Sequence, residues 1–317
     1  MRKNKLGRTG LEVTELCFGA LPFGPLQKGL SPEVCAEVVE GALRRGINFI
    51  DTAQMYGTYE PIRTAMKRTG IRPIIASKST ASDYDGMQRA IDEALLQLDI
   101  DCIDIFHLHA ARADNTVFEK RAGALRCLED NKKSGKIRAI GISTHSVLTV
   151  EATAQVPAIE VVFPILNITG TGILHGSRED MEKAIAACNE KGKGIYLMKA
   201  LAGGSLIGRF DEAMSYARSI PGVASIAVGM VSLDEVAFNL GYFSGEQDKG
   251  SVMPIPEQSK KQFIVVKTLC SNCGVCRPVC PNEAILEKEG LSLIQEDKCL
   301  TCGYCVSACP MFAIRMV

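Results

Sequence analysis

From about residue 15 to residue 243, short apolar runs alternate with stretches whose apolar residues recur every three to four positions. The short runs read as buried strands and the longer stretches as amphipathic helices, the pattern of an α/β fold with parallel strands. Strands are predicted at Leu16–Ala20, Asn48–Asp51, Pro73–Ser77, Ile103–His109, Ile137–Ser143, Glu160–Pro164, Gly194–Met198 and Ala224–Gly229. Helices are predicted at Tyr59–Arg68, Met87–Leu98, Val117–Lys133, Ser177–Lys191 and Ser232–Leu240. Another starts at Ser31-Pro32-Glu33, where a capping serine precedes a proline and an acid in the first turn. Eight strand–helix units in this length fit a (β/α)8 TIM barrel. A doubly wound sheet is the rival, but Gly19, Gly24 and Gly29 lack the spacing of its nucleotide fingerprint. Residues 1–14 read as a hairpin outside the barrel.

The periodicity stops near residue 244. Residues 244–262 are polar and rich in glycine and proline, and read as a linker. The expected organisation is therefore a barrel over 1–243, this linker, and a small domain over 263–317. Eight of the 13 cysteines fall in that last part, in two copies of C-x2-C-x2-C-x3-C-P: Cys270, Cys273, Cys276, Cys280, and Cys299, Cys302, Cys305, Cys309. This is the thiolate run of bacterial ferredoxins, whose fourth cysteine usually serves the other cluster. One 4Fe–4S cluster is therefore assigned to Cys270, Cys273, Cys276 and Cys309, and a second to Cys299, Cys302, Cys305 and Cys280. Zinc sites pair their ligands differently, and disulfides belong to oxidising compartments. A short α+β ferredoxin-like domain has little core of its own, so bound clusters would fix its fold.

Lys plus Arg and Asp plus Glu number 36 each, so charge gives no general reason to expect nucleic acid or an anionic membrane as partner. No apolar run approaches spanning length, and the first residues lack the apolar stretch of a signal peptide. With thiolate clusters, these features point to a reducing cytoplasm. The scattered Cys17, Cys35, Cys102, Cys127 and Cys188 are expected to pack as small apolar residues.

In a TIM barrel, chemistry sits at the C-terminal strand ends. Asp51, Tyr56, Lys78 and His109 fall at or just beyond such ends. Each alone has a bland reading as a cap, a packed ring or a solvated cation, whereas four on one face suggest a site. The segments Phe49–Gly57 (FIDTAQMYG), Ala76-Ser77-Lys78 and Asp104–His109 (DIFHLH) resemble the tetrad segments of aldo-keto reductases. Leu6–Val13 (LGRTGLEV) and Gly135–Ser143 (GKIRAIGIS) are similar to that family too. A branch of the family carries a C-terminal ferredoxin-like unit.

The resemblance implies hydride transfer between NADP(H) or NAD(H) and a small carbonyl or alcohol. Tyr56 would be the acid/base, Lys78 would lower its pKa, Asp51 would hold Lys78, and His109, rather than the deeper His107, would orient the substrate oxygen. It also implies cofactor contacts from Ser143, Thr144, Asn167, Met198, Lys199, Leu201, Gly203, Gly229, Ser232, Glu235 and Asn239, and a substrate pocket lined by the loops 110–115 and 203–210. Thr144, Phe163, Val231 and Glu235 depart from the residues usual at their positions. Loss of the common arginine at 231 removes a counter-charge for a 2′-phosphate, which makes NADH a candidate. Hydride carries two electrons and a cluster passes one, yet no flavin motif is visible to join them. The clusters could therefore couple through another cofactor or a radical-tolerant substrate, or serve structure or docking. The rival reading is an electron-transfer protein whose barrel has weakened nicotinamide binding and receives a redox partner.

Overall fold

The computed structural model describes residues 1–246, 262–311 and 313–316. Most of the expected linker thus lies outside the described residues. Eight parallel strands, Leu16–Gly19, Phe49–Asp51, Ile74–Ser79, Ile103–His109, Ile137–Thr144, Val161–Pro164, Gly194–Leu197 and Val223–Gly229, close into a barrel, the last pairing with the first. All are rich in Val, Ile, Leu and Phe because helices cover their outer faces and side chains fill the interior. Ahead of them, Lys3–Lys5 and Glu12–Thr14 form the expected antiparallel hairpin. Its Leu6 and Leu11 are buried in the main core.

The helices follow their local signals. Ser31 caps Pro32–Arg44 by accepting from Val34 N, and Ser177 and Asp180 form a capping box at the start of Arg178–Glu190. Three departures from the sequence reading have physical reasons. The predicted helix 117–133 breaks at Arg121, whose guanidinium reaches the carbonyls of His109 and Thr80. Val147–Thr153 is a two-turn helix, too short for its periodicity to show. Phe210–Ser219 begins where loop was expected to end.

The C-terminal part pairs Phe263–Val265 with Ile314–Met316, and Ile285–Lys288 with Leu291–Ile294. The second pair turns at Glu289 and Gly290, both with positive φ (54° and 74°), as a two-residue hairpin loop requires. Two short helices, Cys276–Val279 and Tyr304–Ala308, complete a small α+β unit.

This unit sits on the C-terminal mouth of the barrel. Leu300 joins the barrel's own hydrophobic core at 2% exposure. Gln27 Nε2 donates to Thr301 O (2.7 Å), and Thr301 Oγ1 donates to Gly203 O (2.9 Å). Arg112 donates to Pro278 O at 3.1 Å and pairs with Glu283. Two glycines make the approach possible: a Cβ on Gly203 would run into the Leu300 carbonyl, and one on Gly303 into the Leu26 carbonyl. The loops expected to line a substrate pocket, 110–115 and 203–210, therefore support the second unit.

Candidate active site

Register decides which side chains meet at the mouth. Asp51 lies opposite Ala76, Lys78 opposite His107, and His109 opposite Ser143. Because side chains alternate along a strand, His107 and His109 both face inward, with His107 one layer deeper. Tyr56 arrives from a short 3-10 turn, Gln54–Tyr56, closed by Gly57 at φ 65°.

Lys78 and Asp51 form a buried pair. Lys78 Nζ donates to Asp51 Oδ1 and to Thr52 O, each at 2.7 Å, and both side chains are at most 6% exposed. Burial raises the Asp51 pKa and lowers that of Lys78, and each partner opposes the shift of the other. The second carboxylate oxygen accepts from Tyr196 OH at 3.0 Å. Tyr196 has spent its only proton there, so its oxygen accepts from His107 Nε2, 2.8 Å away. The ring of Phe163 stacks on Tyr196 at 3.9 Å and 10°. Sequence reasoning missed Tyr196, which sits within the apolar run Gly194–Leu197 and looks like core.

Lys78 Nζ lies 4.8 Å from the centroid of the Tyr56 ring. The net shift of the Tyr56 pKa in this structure is nevertheless upward. Burial, then Tyr304 and Asp51, raise it well above the ordinary tyrosine value. Lys78 directs its donors at Asp51 and Thr52 and not at the Tyr56 hydroxyl. Burial likewise holds His109 well below the ordinary histidine value, aided by Lys78. Tyr56 is thus a protonated hydroxyl and His109 a neutral imidazole.

A third hydroxyl joins them from the second unit. Tyr304 OH is 3.0 Å from His109 Nε2 and 3.5 Å from Tyr56 OH. Tyr304 also packs beside Leu26, Ala53 and Tyr56. Nothing in its surroundings along the chain marks it; it stands between Cys302 and Cys305.

The residues expected around a nucleotide divide into three groups. Ser143, Thr144 and Met198 are buried at strand ends near the tetrad. Ser232 caps the last helix by accepting from Glu235 N (3.2 Å), and one Glu235 oxygen accepts from Val231 N (2.7 Å). Asn239 is fully buried: its Nδ2 donates to Glu235 O (2.8 Å), and its Oδ1 has no hydrogen-bond partner among the described residues. The other members are committed elsewhere. Asn167 organises its own turn through Thr169 and Thr171. Gly229 lies against Pro22, so a Cβ there would clash. Lys199, at φ 57°, lies near Cys302, Cys299 and Cys280, and Leu201–Gly203 run beneath Leu300 and Thr301.

None of the 13 cysteines is in a disulfide. Cys17, Cys35, Cys127 and Cys188 are buried as expected, while Cys102 is half-buried. The eight in the C-terminal runs surround two cavities. One is lined by Cys280, Cys299, Cys302 and Cys305, the other by Cys270, Cys273, Cys276 and Cys309. Each cavity thus takes three cysteines from one run and the fourth from the other. Among the described residues no group of three or more His, Cys, Asp or Glu is arranged to hold a metal ion. Four thiols around each apolar cavity fit a cube of iron and sulfide.

A closed parallel barrel with a buried acid–lysine–tyrosine–histidine group at its C-terminal rim, carrying a cysteine-rich unit, defines a barrel of the oxidoreductase class. The chain belongs to the aldo/keto reductase family, whose model matches residues 15–218, and a 4Fe-4S dicluster domain matches residues 263–310. Over 164 residues it is 31% identical to a 6-dehydroglucose reductase of Novosphingobium aromaticivorans, covering 45% of this chain and 51% of that one. The chain thus spans about half the length of that relative. An L-galactose dehydrogenase of Arabidopsis thaliana is 25% identical over 293 residues, 74% of this chain and 86% of its own. The holo form of an aldo-keto reductase from Bacillus halodurans shares the fold, with a TM-score of 0.63 at 21% identity over 76% of this chain and 90% of its own. Among the described residues no helix is long and apolar enough to cross a membrane.

Three of the four histidines are expected to make the protein sensitive to acid. Burial depresses the pKa of His107 and His109, and that of His145 to about 3. An unfolded chain protonates these rings below about pH 6.5, whereas the folded one refuses the proton. Stability is therefore complete above that pH and is lost as pH falls through it. Each histidine contributes a slope of about 1.4 kcal/mol per pH unit. Denaturation midpoints measured from pH 8 to pH 4 should fall below pH 6.5, and a flat profile there would contradict the neutral, buried assignment.

Proposed function

We propose that this protein is a nicotinamide-dependent carbonyl reductase of two domains, carrying two 4Fe–4S clusters bound through the crossed cysteine sets. The observation that carries the reading is the convergence of Tyr56 OH and His109 Nε2 on one oxygen position above the buried Lys78–Asp51 pair. Bound NADH or NADPH would supply the hydride. The chain's own part is to manage the oxygen on which negative charge develops. His109 would orient that oxygen by hydrogen bonding. Tyr56, kept protonated by burial, would give it a proton. The Lys78 cation beside the ring would then favour the phenolate left behind, and Asp51, anchored by Tyr196 and His107, would keep Lys78 in place.

The place of Ser143, opposite His109 in the strand register, supports a nicotinamide beside the tetrad. Val231 and Glu235 offer no counter-charge to a 2′-phosphate, which favours NADH over NADPH. Two relatives act, by name, on sugars, so sugar aldehydes and lactols head the substrate panel. One observation favours the electron-transfer alternative: Lys199 and Leu201–Gly203, expected at the nucleotide, lie under the cysteine-rich unit.

One experiment separates the two. The protein is purified without oxygen, its clusters are reconstituted, and NADH or NADPH is added with a panel of sugar and aryl aldehydes. Consumption of nucleotide and carbonyl in equal amounts is expected, faster with NADH. Absence of nucleotide binding by fluorescence titration, with cluster bleaching by a reduced one-electron carrier protein, would favour the alternative.

A further inference from the structure

The hydroxyl of Tyr304 is where the reaction needs the substrate. It lies within hydrogen-bonding distance of His109 Nε2 (3.0 Å) and at its outer limit from Tyr56 OH (3.5 Å), the two groups that would hold a carbonyl oxygen. Two oxygens cannot share that position, so Tyr304 in this place and a substrate in the reactive place exclude one another. The position is not the result of a loose side chain. Tyr304 packs with Leu21, Leu26, Ala53, Met55 and Tyr56, and the turn that delivers it is fixed by Gly303 against the Leu26 carbonyl. On either side stand Cys302 and Cys305, which line one cavity with Cys280 and Cys299.

We propose that Tyr304 is a built-in substitute for the substrate: it satisfies Tyr56 and His109 in the resting protein, and a carbonyl enters only as the Cys302–Cys305 turn withdraws it. The proposal rests on the reductase reading of the barrel site and adds its control. Two consequences follow from geometry alone. Part of the binding free energy of any carbonyl is spent on displacing Tyr304, so apparent affinity is lowered by the fraction of molecules that are closed. Because the displaced residue lies between two cysteines of one cavity, occupation of the barrel site and the arrangement of that cavity are linked, and linkage acts in both directions.

Both consequences are measurable on the full-length protein with its clusters loaded. Benzaldehyde serves as the turnover probe and benzamide, which hydride does not reduce, as the binding probe. Relieving the closed state in Tyr304→Ala should lower KM for benzaldehyde about tenfold and raise kcat/KM accordingly. Tyr304→Phe keeps the ring and its packing but removes both hydrogen bonds; its KM should fall by roughly threefold. Iron content and visible absorbance equal to wild type show that neither variant has lost its clusters. In the dithionite-reduced wild type, benzamide should shift the paramagnetic signal of one cluster and leave the other, and in Tyr304→Ala it should shift neither.

An unchanged or raised KM in Tyr304→Ala, or a wild-type signal indifferent to benzamide, overturns the proposal. So does a loss of kcat in Tyr304→Phe of tenfold or more, which would make Tyr304 a proton donor. Failure of the reductase reading looks different: turnover indifferent to Tyr56→Phe, with the benzamide shift still present.

Discussion

Tyr56→Phe is expected to lower kcat for carbonyl reduction by roughly 10²–10⁴-fold, the range for removing a positioned general acid, while nucleotide affinity stays within twofold. The substitution keeps the ring, so the packing with Ala53 and Leu26 and the cation above the ring persist. What is lost is the hydroxyl proton that Tyr56 would give to the oxygen. The pH profile belongs to the same expectation. Burial first, then Tyr304 and Asp51, hold the Tyr56 proton beyond the ordinary tyrosine range, and His109 stays neutral. Neither group changes its charge between about pH 6.5 and pH 10, so the wild-type reduction rate should be level across that window. Steady-state rates with NADH at saturating aldehyde test both statements. A loss below tenfold, or an alkaline limb starting near pH 8, would remove Tyr56 from its assigned role.

Lys78→Met is expected to destabilise the protein by about 3–5 kcal/mol, the cost of leaving a buried charge without its partner. The loss should appear as a fall of roughly 5–15 °C in Tm. Asp51 would then be 4% exposed with Tyr196 OH as its remaining side-chain donor. Adding Asp51→Asn removes the unpaired carboxylate, so the double variant should recover a large share of the lost stability. Thermal denaturation of the two single variants and the double variant gives the coupling. Simple additivity of the two losses would mean that Lys78 and Asp51 are not an energetic pair. Both single variants should also lower turnover, since the phenolate formed on Tyr56 loses its neighbouring cation or the group that holds it.

The barrel was legible because a strand buried on both faces must be apolar for its whole length, and because the period changes abruptly in the helices between strands. Asp51, Lys78 and His109 were legible because they are polar at the ends of apolar runs. The cysteine runs were more legible still: a fixed spacing of thiols has few other physical uses, and four of those cysteines line each of two cavities. Tyr196 was not legible, because an aromatic within a strand has the same pattern whether it only packs or also bonds a carboxylate. Tyr304 was further out of reach. Its partners His109 and Tyr56 are 195 and 248 residues away in the chain. Only the docking of one unit on another brings them together, and no periodicity encodes docking. The same cause explains Lys199 and Gly203, whose places on the strand-seven loop were read correctly but whose neighbours belong to the cysteine-rich unit.

Barrels of this kind are versatile because the loops at one end diverge freely while the strands beneath keep the fold. Here Arg112 and Gly203 tie two of those loops to Pro278, Glu283, Leu300 and Thr301. A substitution that reshapes either loop must also be tolerated by the surface resting on it. The descendants of such a chain would acquire new substrates by paired changes in two domains, and their histories should show the loops and the cysteine-rich unit evolving in step.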